Sequence, residues 1–361
     1  MLRLTMLDSY IEDSGPAALV LREELVPVEG ADGVLFPPTY APNPGEDFGG
    51  GYNIDGELTG ENVCLVDSVG SQANRIEPMF GRAPYAELVP QVAVRAGEHV
   101  VSLLEAGHRA GDAIVRCSEL QEDLQAAFKS LLKGDATPLA SIAPTSLVFG
   151  VWDSRDTQAK APRLIASTIR AHNVRRLSRS AQFVPATDYV DQGLVDEPKD
   201  KAAKDALAER GFVHVPASAS HGGVIAKGGI RRDATLSLAA LRLLSAGDDA
   251  QRTAALRRYV LGLAVTAFTA SVSTYLRQGC NLVLDSSKPE PRRIEEVYPS
   301  GQRKPFTLAH DDALAFAHEA ANAFGVGKSR TVDFDKERAR TDVAVNGDKK
   351  EKKDKAKKAK G

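Results

Sequence analysis

Apolar and polar positions alternate through residues 17–29, which predicts a strand closed by Pro27 and Gly30. A long segment follows at 30–60, rich in Gly, Pro and Asp, with Pro37-Pro38 and Gly49-Gly50-Gly51. It reads as a loop, and loops of that length in compact domains are often functional. The spacing predicts an amphipathic helix over 64–77, closed by Pro78, and a strand over 88–94. Residues 108–132 read as helical, 145–152 as a buried strand running into Trp152, and 161–170 as a helix with Pro162 in its first turn. A loop or hairpin is expected at 174–194, and a short charged helix at 200–210 ending at Gly211. The remaining pattern gives a glycine-flanked strand at 222–231, helices near 233–245 and 249–277, strands near 281–285 and 292–298, and a helix at 311–324. Strands and helices mixed in this way indicate an α/β or α+β chain, with neither an internal repeat nor a firm domain boundary.

Charge changes this picture more through its distribution than its sum. The 361 residues carry a net charge of −2. Residues 1–61 hold twelve acids against Arg3 and Arg22, whereas 347–361 hold eight Lys against three acids. Within 151–180 lie Arg155, Lys160, Arg163, Arg170, Arg175, Arg176 and Arg179 against Asp153 and Asp156, a basic stripe able to meet phosphates in a chain that is acidic overall. The Lys-rich tail, 346–361, has almost nothing to bury and is expected to be disordered; a solubilising end is favoured over a nucleic-acid arm. Cys64, Cys117 and Cys280 are odd in number and far apart, which argues against a disulfide framework and fits a reducing cytoplasm. No secretory signal is visible at the N-terminus. The uncharged run Tyr259 to Leu276 is rich in Thr, Ser and Ala, so a buried helix is expected rather than a membrane span.

Three segments carry candidate chemistry. On the 64–77 helix, Ser68, Ser71, Asn74 and Arg75 share the polar face with Asp67. Short neutral or cationic donors of that kind suit a sugar-phosphate backbone, though every amphipathic helix has a polar face. At 160–170 a helical wheel gathers Lys160, Arg163, Ser167 and Arg170 opposite Leu164, Ile165 and Ile169. Arg155 and Trp152, the only Trp, precede them, so phosphate pairing combines with a ring for base stacking; the alternative is a core Trp. Residues 222–232 place Lys227, Arg231 and Arg232 on a strand bracketed by glycine pairs, which reads equally well as a plain hairpin with charged ends. Enzyme motifs are missing. Gly327-Lys328-Ser329 ends like a phosphate-binding loop but has Asn322 where the first glycine belongs, and the seven His form neither HExxH nor a His-x3-His pair.

At these same segments the chain resembles a known family. Pro37-Pro38-Thr39-Tyr40, Asp67-Ser68 through Gln72-Ala73-Asn74-Arg75, His108-Arg109 with Asp112-Ala113, Pro144-Thr145-Ser146-Leu147 through Gly150-Val151-Trp152-Asp153-Ser154, and Arg163 with Ile169-Arg170-Ala171 occur in that order. Gly222-Gly223, Arg231 and Leu238-Ala239-Ala240-Leu241-Arg242 follow. The pattern, over roughly 18–285, resembles the backbone subunit of type I-G (formerly I-U) CRISPR interference complexes, in the RAMP superfamily. That resemblance implies an α+β fold: one RAMP-type domain over 1–345, an RRM-like, ferredoxin-type palm with inserted finger and thumb elements, and long loops at about 30–60 and 178–220. It implies a non-catalytic subunit that grips CRISPR RNA and stacks with copies of itself into a helical filament. The guide would then be displayed to a target DNA strand. A fused Cas5-Cas6 type subunit, a large subunit and a separate helicase-nuclease would be partners in the cytoplasm, with no membrane, cofactor or metal involved. The rival reading is an RNA-processing or RNA-cleaving nuclease of the same superfamily; a DNA-binding regulator is the third.

Overall fold

The computed structural model describes residues 4–43, 45, 48–57, 61–271 and 273–344; the Lys-rich tail expected at 346–361 lies outside them. Five strands set the frame: β1 (Ala18–Pro27), β2 (Asn62–Asp67), β3 (Ile165–His172), β6 (Ile230–Ser237) and β7 (Cys280–Leu284). The numbers between belong to a hairpin arm, β4 (Val174–Phe183) and β5 (Val215–Ala226). The large sheet runs β7-β1-β6-β3-β2, with β8 (Arg292–Val297) also along β1, and each of these pairings is antiparallel. The chain is therefore mixed α and β, built on a curled antiparallel sheet. In a split βαβ unit the two parallel strands are separated by a strand antiparallel to both, and the sheet has that arrangement: β1 and β3 run in the same direction on either side of β6, as do β6 and β7 on either side of β1. Directly paired parallel strands, Arg330–Asp333 beside Val92–Ala96, belong to a separate small sheet.

Alternation in β1 sorts the two faces of the sheet. Leu19, Leu21, Glu23 and Leu25 point inward and are buried, while Val20, Arg22 and Glu24 look outward. Register carries the outward set across the sheet: Arg22 pairs with Asp233 and Arg293, Glu24 with Arg231, and Arg231 with Arg170. The inner face is covered by α3 (Ala250–Thr269), which runs against α4 (His310–Phe324). From Tyr259 to Thr269 every residue of α3 is buried, which explains the long uncharged run. A Cβ on Gly262 would sit 2.8 Å from Ala317 Cα, so only glycine lets the two helices come this close. Tyr259 stacks on Phe324 with ring centroids 4.8 Å apart and donates to the Leu88 carbonyl at 2.9 Å. Among the described residues no helix is long and apolar enough to cross a membrane.

Several predicted elements change type. Residues 165–172 form a strand, not a helix. Ile165, Ser167, Ile169 and Ala171 are buried in alternation, so the period is two, and Pro162 precedes a strand rather than opening a helix. The 64–77 segment is a strand as far as Asp67, then α1 (Val69–Ile76), whose N-cap Ser68 accepts from the Ser71 amide at 3.2 Å. Thr145–Phe149 is a short buried helix stopped by Gly150 at φ 81°, and only Val151–Trp152 is extended. Residues 230–237 extend the sheet before Ser237 caps the short helix Leu238–Leu241. The strand at 18–27, the short helix at Lys201–Glu209 (α2), the strands at 280–284 and 292–297, and helix α4 follow the pattern read from the sequence.

The 178–220 segment is also more ordered than a loop. β3 continues through Asn173 into β4, while β5 returns through 227–229 into β6, so one long hairpin crosses the sheet and projects from it. At the crossing two residues face three, which leaves a bulge and a bend. Asn62, the first residue of β2, holds the bend. Its Oδ1 accepts from the Val174 amide at 2.7 Å, its Nδ2 donates to the Val174 carbonyl at 3.1 Å, and its own carbonyl accepts from the Asn173 amide at 2.8 Å.

Candidate nucleic-acid interface

Trp152 stands on a two-residue ladder, Val151-Trp152 against Lys160-Ala161. Asp153, buried beneath the connecting turn, accepts from the Thr157 amide at 2.8 Å and its hydroxyl at 2.6 Å, so the turn is fixed from inside. The indole is 57% exposed, and Lys160 Nζ lies 5.8 Å from its ring centroid. A large ring left in solvent beside a cation is not core packing, and its face is open for stacking. Arg163 shares this cleft of about 520 Å³ with His108, Arg109 and Ser154. A Cβ on Gly150 would meet Arg163 Cγ at 2.5 Å, so the glycine makes room for the guanidinium.

Arg109 forms the back of the cleft and is 4% exposed. It donates to Glu77 Oε2 at 2.6 Å and to Asn74 Oδ1 at 3.2 Å, and its guanidinium lies 5.6 Å from the Phe149 ring centroid. Burial, opposed by Arg109, pushes the Glu77 carboxyl up to about 7. Burial first, and the neighbouring Arg109 cation second, lower the Arg163 guanidinium from its ordinary value. Two guanidiniums held near each other over one cleft favour an anion between them.

The polar face of α1 is organised from within. Asp67 is 1% exposed and accepts from Ser71 Oγ at 2.8 Å, Gln72 Nε2 at 2.6 Å, Arg75 Nε at 3.1 Å and Arg277 Nη2 at 2.9 Å. Gln72 Oε1 in turn accepts from Ser167 Oγ at 2.9 Å, which accepts from Arg232 Nε at 2.9 Å; Arg232 Nη1 meets Glu23 Oε2 at 3.0 Å. Ser167 and Arg232 are buried in this chain of contacts across the inner face, and both are withdrawn from the interface predicted for them. The helical wheel that grouped Ser167 with Lys160, Arg163 and Arg170 does not exist, because the segment is a strand.

The other predicted residues reach the surface in separate groups. Ser68 and Ser71 are half-buried at the start of α1, and Asn74 and Arg75 are exposed on its far turn. Lys160 and Arg163 line the tryptophan cleft and Arg155 lies in the turn that follows Trp152, all exposed. Arg170 and Arg231 sit opposite each other on the open face of the sheet, where Arg231 Nε pairs with Asp233 at 2.8 Å. Lys227 is exposed at the bend of the arm. On the arm itself Arg175, Arg176 and Arg179 are exposed, and Arg179 lies 5.6 Å from the Phe36 ring centroid. None of the seven cations from Arg155 to Arg179 has a carboxylate partner among the described residues, whereas Arg75, Arg109, Arg231, Arg232 and Arg277 do.

Arg109, Arg277 and the three arm arginines were not predicted as contacts. The arm arginines stood in the basic stripe, and Arg109 in the His108-Arg109 motif; nothing local to Arg277 links it to Asp67, which is 210 positions away. The three cysteines are buried and free. Among the described residues no group of three or more His, Cys, Asp and Glu could hold a metal ion.

Residues 19–176 match the family model described as CRISPR-associated protein GSU0053, a RAMP-type family, which supports a CRISPR-associated subunit. The match takes in β1, β2, α1, the tryptophan cleft and β3, and stops as the arm begins. No curated protein matches the chain.

Proposed function

We propose that this chain, CRISPR-associated by its match over residues 19–176, is a non-catalytic backbone subunit that binds CRISPR RNA. The observation that carries the reading is the run of seven cations from Arg155 to Arg179, which lack carboxylate partners among the described residues and begin beside the exposed Trp152. Cations that no internal acid neutralises are available to phosphates, and phosphates carry no sequence information. A ring in solvent adds stacking, which accepts any base. Together they give a grip that tolerates every guide sequence, which is what a repeated subunit needs.

In this reading the curled sheet acts as the RRM-like palm, its antiparallel ladder being compatible with a split βαβ unit, and the arm acts as an inserted finger or thumb. Copies stack into a filament along the guide and leave its bases free for a target DNA strand. A fused Cas5-Cas6 type subunit, a large subunit and a cytoplasmic setting belong to the same proposal.

The single tryptophan makes the test direct. Single-stranded RNA of two unrelated sequences should quench its emission with similar affinity, and Trp152→Phe should abolish the signal while leaving salt-sensitive binding. Duplex DNA preferred over single-stranded RNA, or metal-dependent cutting of the RNA by the pure protein, would overturn the proposal. So would strong sequence selectivity.

A further inference from the structure

A second cleft lies on the other side of α1, between that helix and the junction of α3 with α4. It has a volume of about 470 Å³, within the range of small-ligand pockets. Its rim carries two exposed guanidiniums. Arg75 is held by Asp67 through Nε alone, at 3.1 Å, and its terminal nitrogens have no hydrogen-bond partner among the described residues. Arg82 has neither an ion pair nor a side-chain hydrogen bond among them.

The interior differs from the rim. Met79 and Ile169 supply an apolar floor. One wall is a fixed polar pair: His310 Nε2 lies 2.9 Å from Tyr85 Oη, and His310 Nδ1 lies 2.9 Å from Thr269 Oγ1. The phenol and imidazole therefore keep their orientation before any ligand arrives, and the ring of one meets the ring of the other edge-on, with centroids 5.8 Å apart. Two forked cations at a mouth suit a phosphate, which they bind with paired hydrogen bonds. An apolar floor beside an aromatic wall with polar edges suits a flat heterocycle.

We infer that this cleft binds a nucleoside monophosphate, the phosphate at Arg75 and Arg82 and the base against Met79, Ile169 and the Tyr85–His310 wall. The site goes beyond the RNA-binding reading and does not rest on it, since Arg82, Tyr85 and His310 have no role there. Its ligand is either a free nucleotide or one nucleotide of a bound strand.

Calorimetry on the full chain with AMP, UMP, adenosine and inorganic phosphate tests the assignment. AMP or UMP should bind more tightly than adenosine or phosphate alone, with little change in Trp152 emission, because the indole belongs to the other cleft. Arg82→Gln, on an exposed side chain, should weaken AMP by roughly tenfold, the loss of one charged contact, and leave the thermal midpoint unchanged. AMP that displaces a labelled RNA identifies the strand as the nucleotide's source, and AMP that binds without displacing it identifies a free nucleotide. No heat from either nucleotide, phosphate binding as tightly as AMP, or unaltered AMP affinity in a folded Arg82→Gln protein would each overturn the inference. RNA quenching of Trp152 is read separately, so failure of this site and failure of the RNA-binding reading are distinguishable.

Discussion

Glu23, Arg232, Ser167, Gln72 and Asp67 form an unbroken polar path beneath the sheet, and each is buried. Removing a charged member of such a path leaves its buried partner poorly compensated in the interior. Arg232→Met should therefore cost about 3–5 kcal/mol in denaturant unfolding, since Glu23 keeps only Arg292, at 3.4 Å. Glu77 gives a pH signature. Its carboxyl titrates near 7 in the folded chain against an ordinary 4.5, so folding favours its protonated form. The stability this lends is complete below about pH 4.5 and is lost as the pH rises through 7. Unfolding free energies of the native protein should fall across that window by roughly 3 kcal/mol relative to a Glu77→Gln variant, which lacks the titration; parallel pH profiles would refute this. Little of this was legible in the sequence. Ser167 and Arg232 have surface-type side chains, and only their partners on other strands show that they are interior. Trp152 is the converse, a residue whose composition suggests core and whose position on a short exposed ladder places it in solvent.

At the scale of elements, one periodicity decided most of the outcome. The apolar positions Ala161, Leu164, Ile165 and Ile169 fit a helical arc, and the same segment fits a strand once Ser167 is counted as inward. Ser167 can be inward because Arg232 and Gln72 satisfy it, which no local pattern reveals. Long uniform elements such as β1, α3 and α4 were read correctly in type because burial on a constant face repeats over many residues. The strand geometry revises what a cationic face means here. Lys160 and Arg163 belong to the tryptophan cleft, and Arg170 to the open sheet face. Replacing all three with Ala breaks no ion pair among the described residues and leaves Leu164, Ile165 and Ile169 in the core, so circular dichroism should be unchanged. RNA affinity should fall alike for unrelated sequences, with the log–log salt slope reduced by about 2, at ~0.7 per phosphate contact. An unchanged slope in the folded triple variant would remove these residues from the interface. Replacing Arg175, Arg176 and Arg179 tests the arm in the same way, and an unaltered slope there would confine binding to the cleft and sheet.

For the molecule as a whole, stability rests on the closeness of α3 and α4. Gly262→Val should push them apart and cost about 1–3 kcal/mol as overpacking, with a lower thermal midpoint and little change in RNA affinity measured below it. The family match ends near residue 176, so the frame and the arm meet where recognisable similarity stops. Asn62 stands at that meeting point. With both atoms of its amide on the Val174 backbone, it is one bolt at the root of an arm that the Leu35–Val224 backbone pair and the Tyr52 hydroxyl also tie down, and it is the bolt that opens the strand ending at Asp67. A load on the arm tip is then delivered along β2 to the carboxylate that orients Ser71, Arg75 and Arg277. Asn62→Ala should cost about 1–3 kcal/mol, because the Val174 amide loses its acceptor. It should also speed hydrogen exchange at the arm root and make it less sensitive to what α1 holds, so that two gripping surfaces coupled through β2 move more nearly independently.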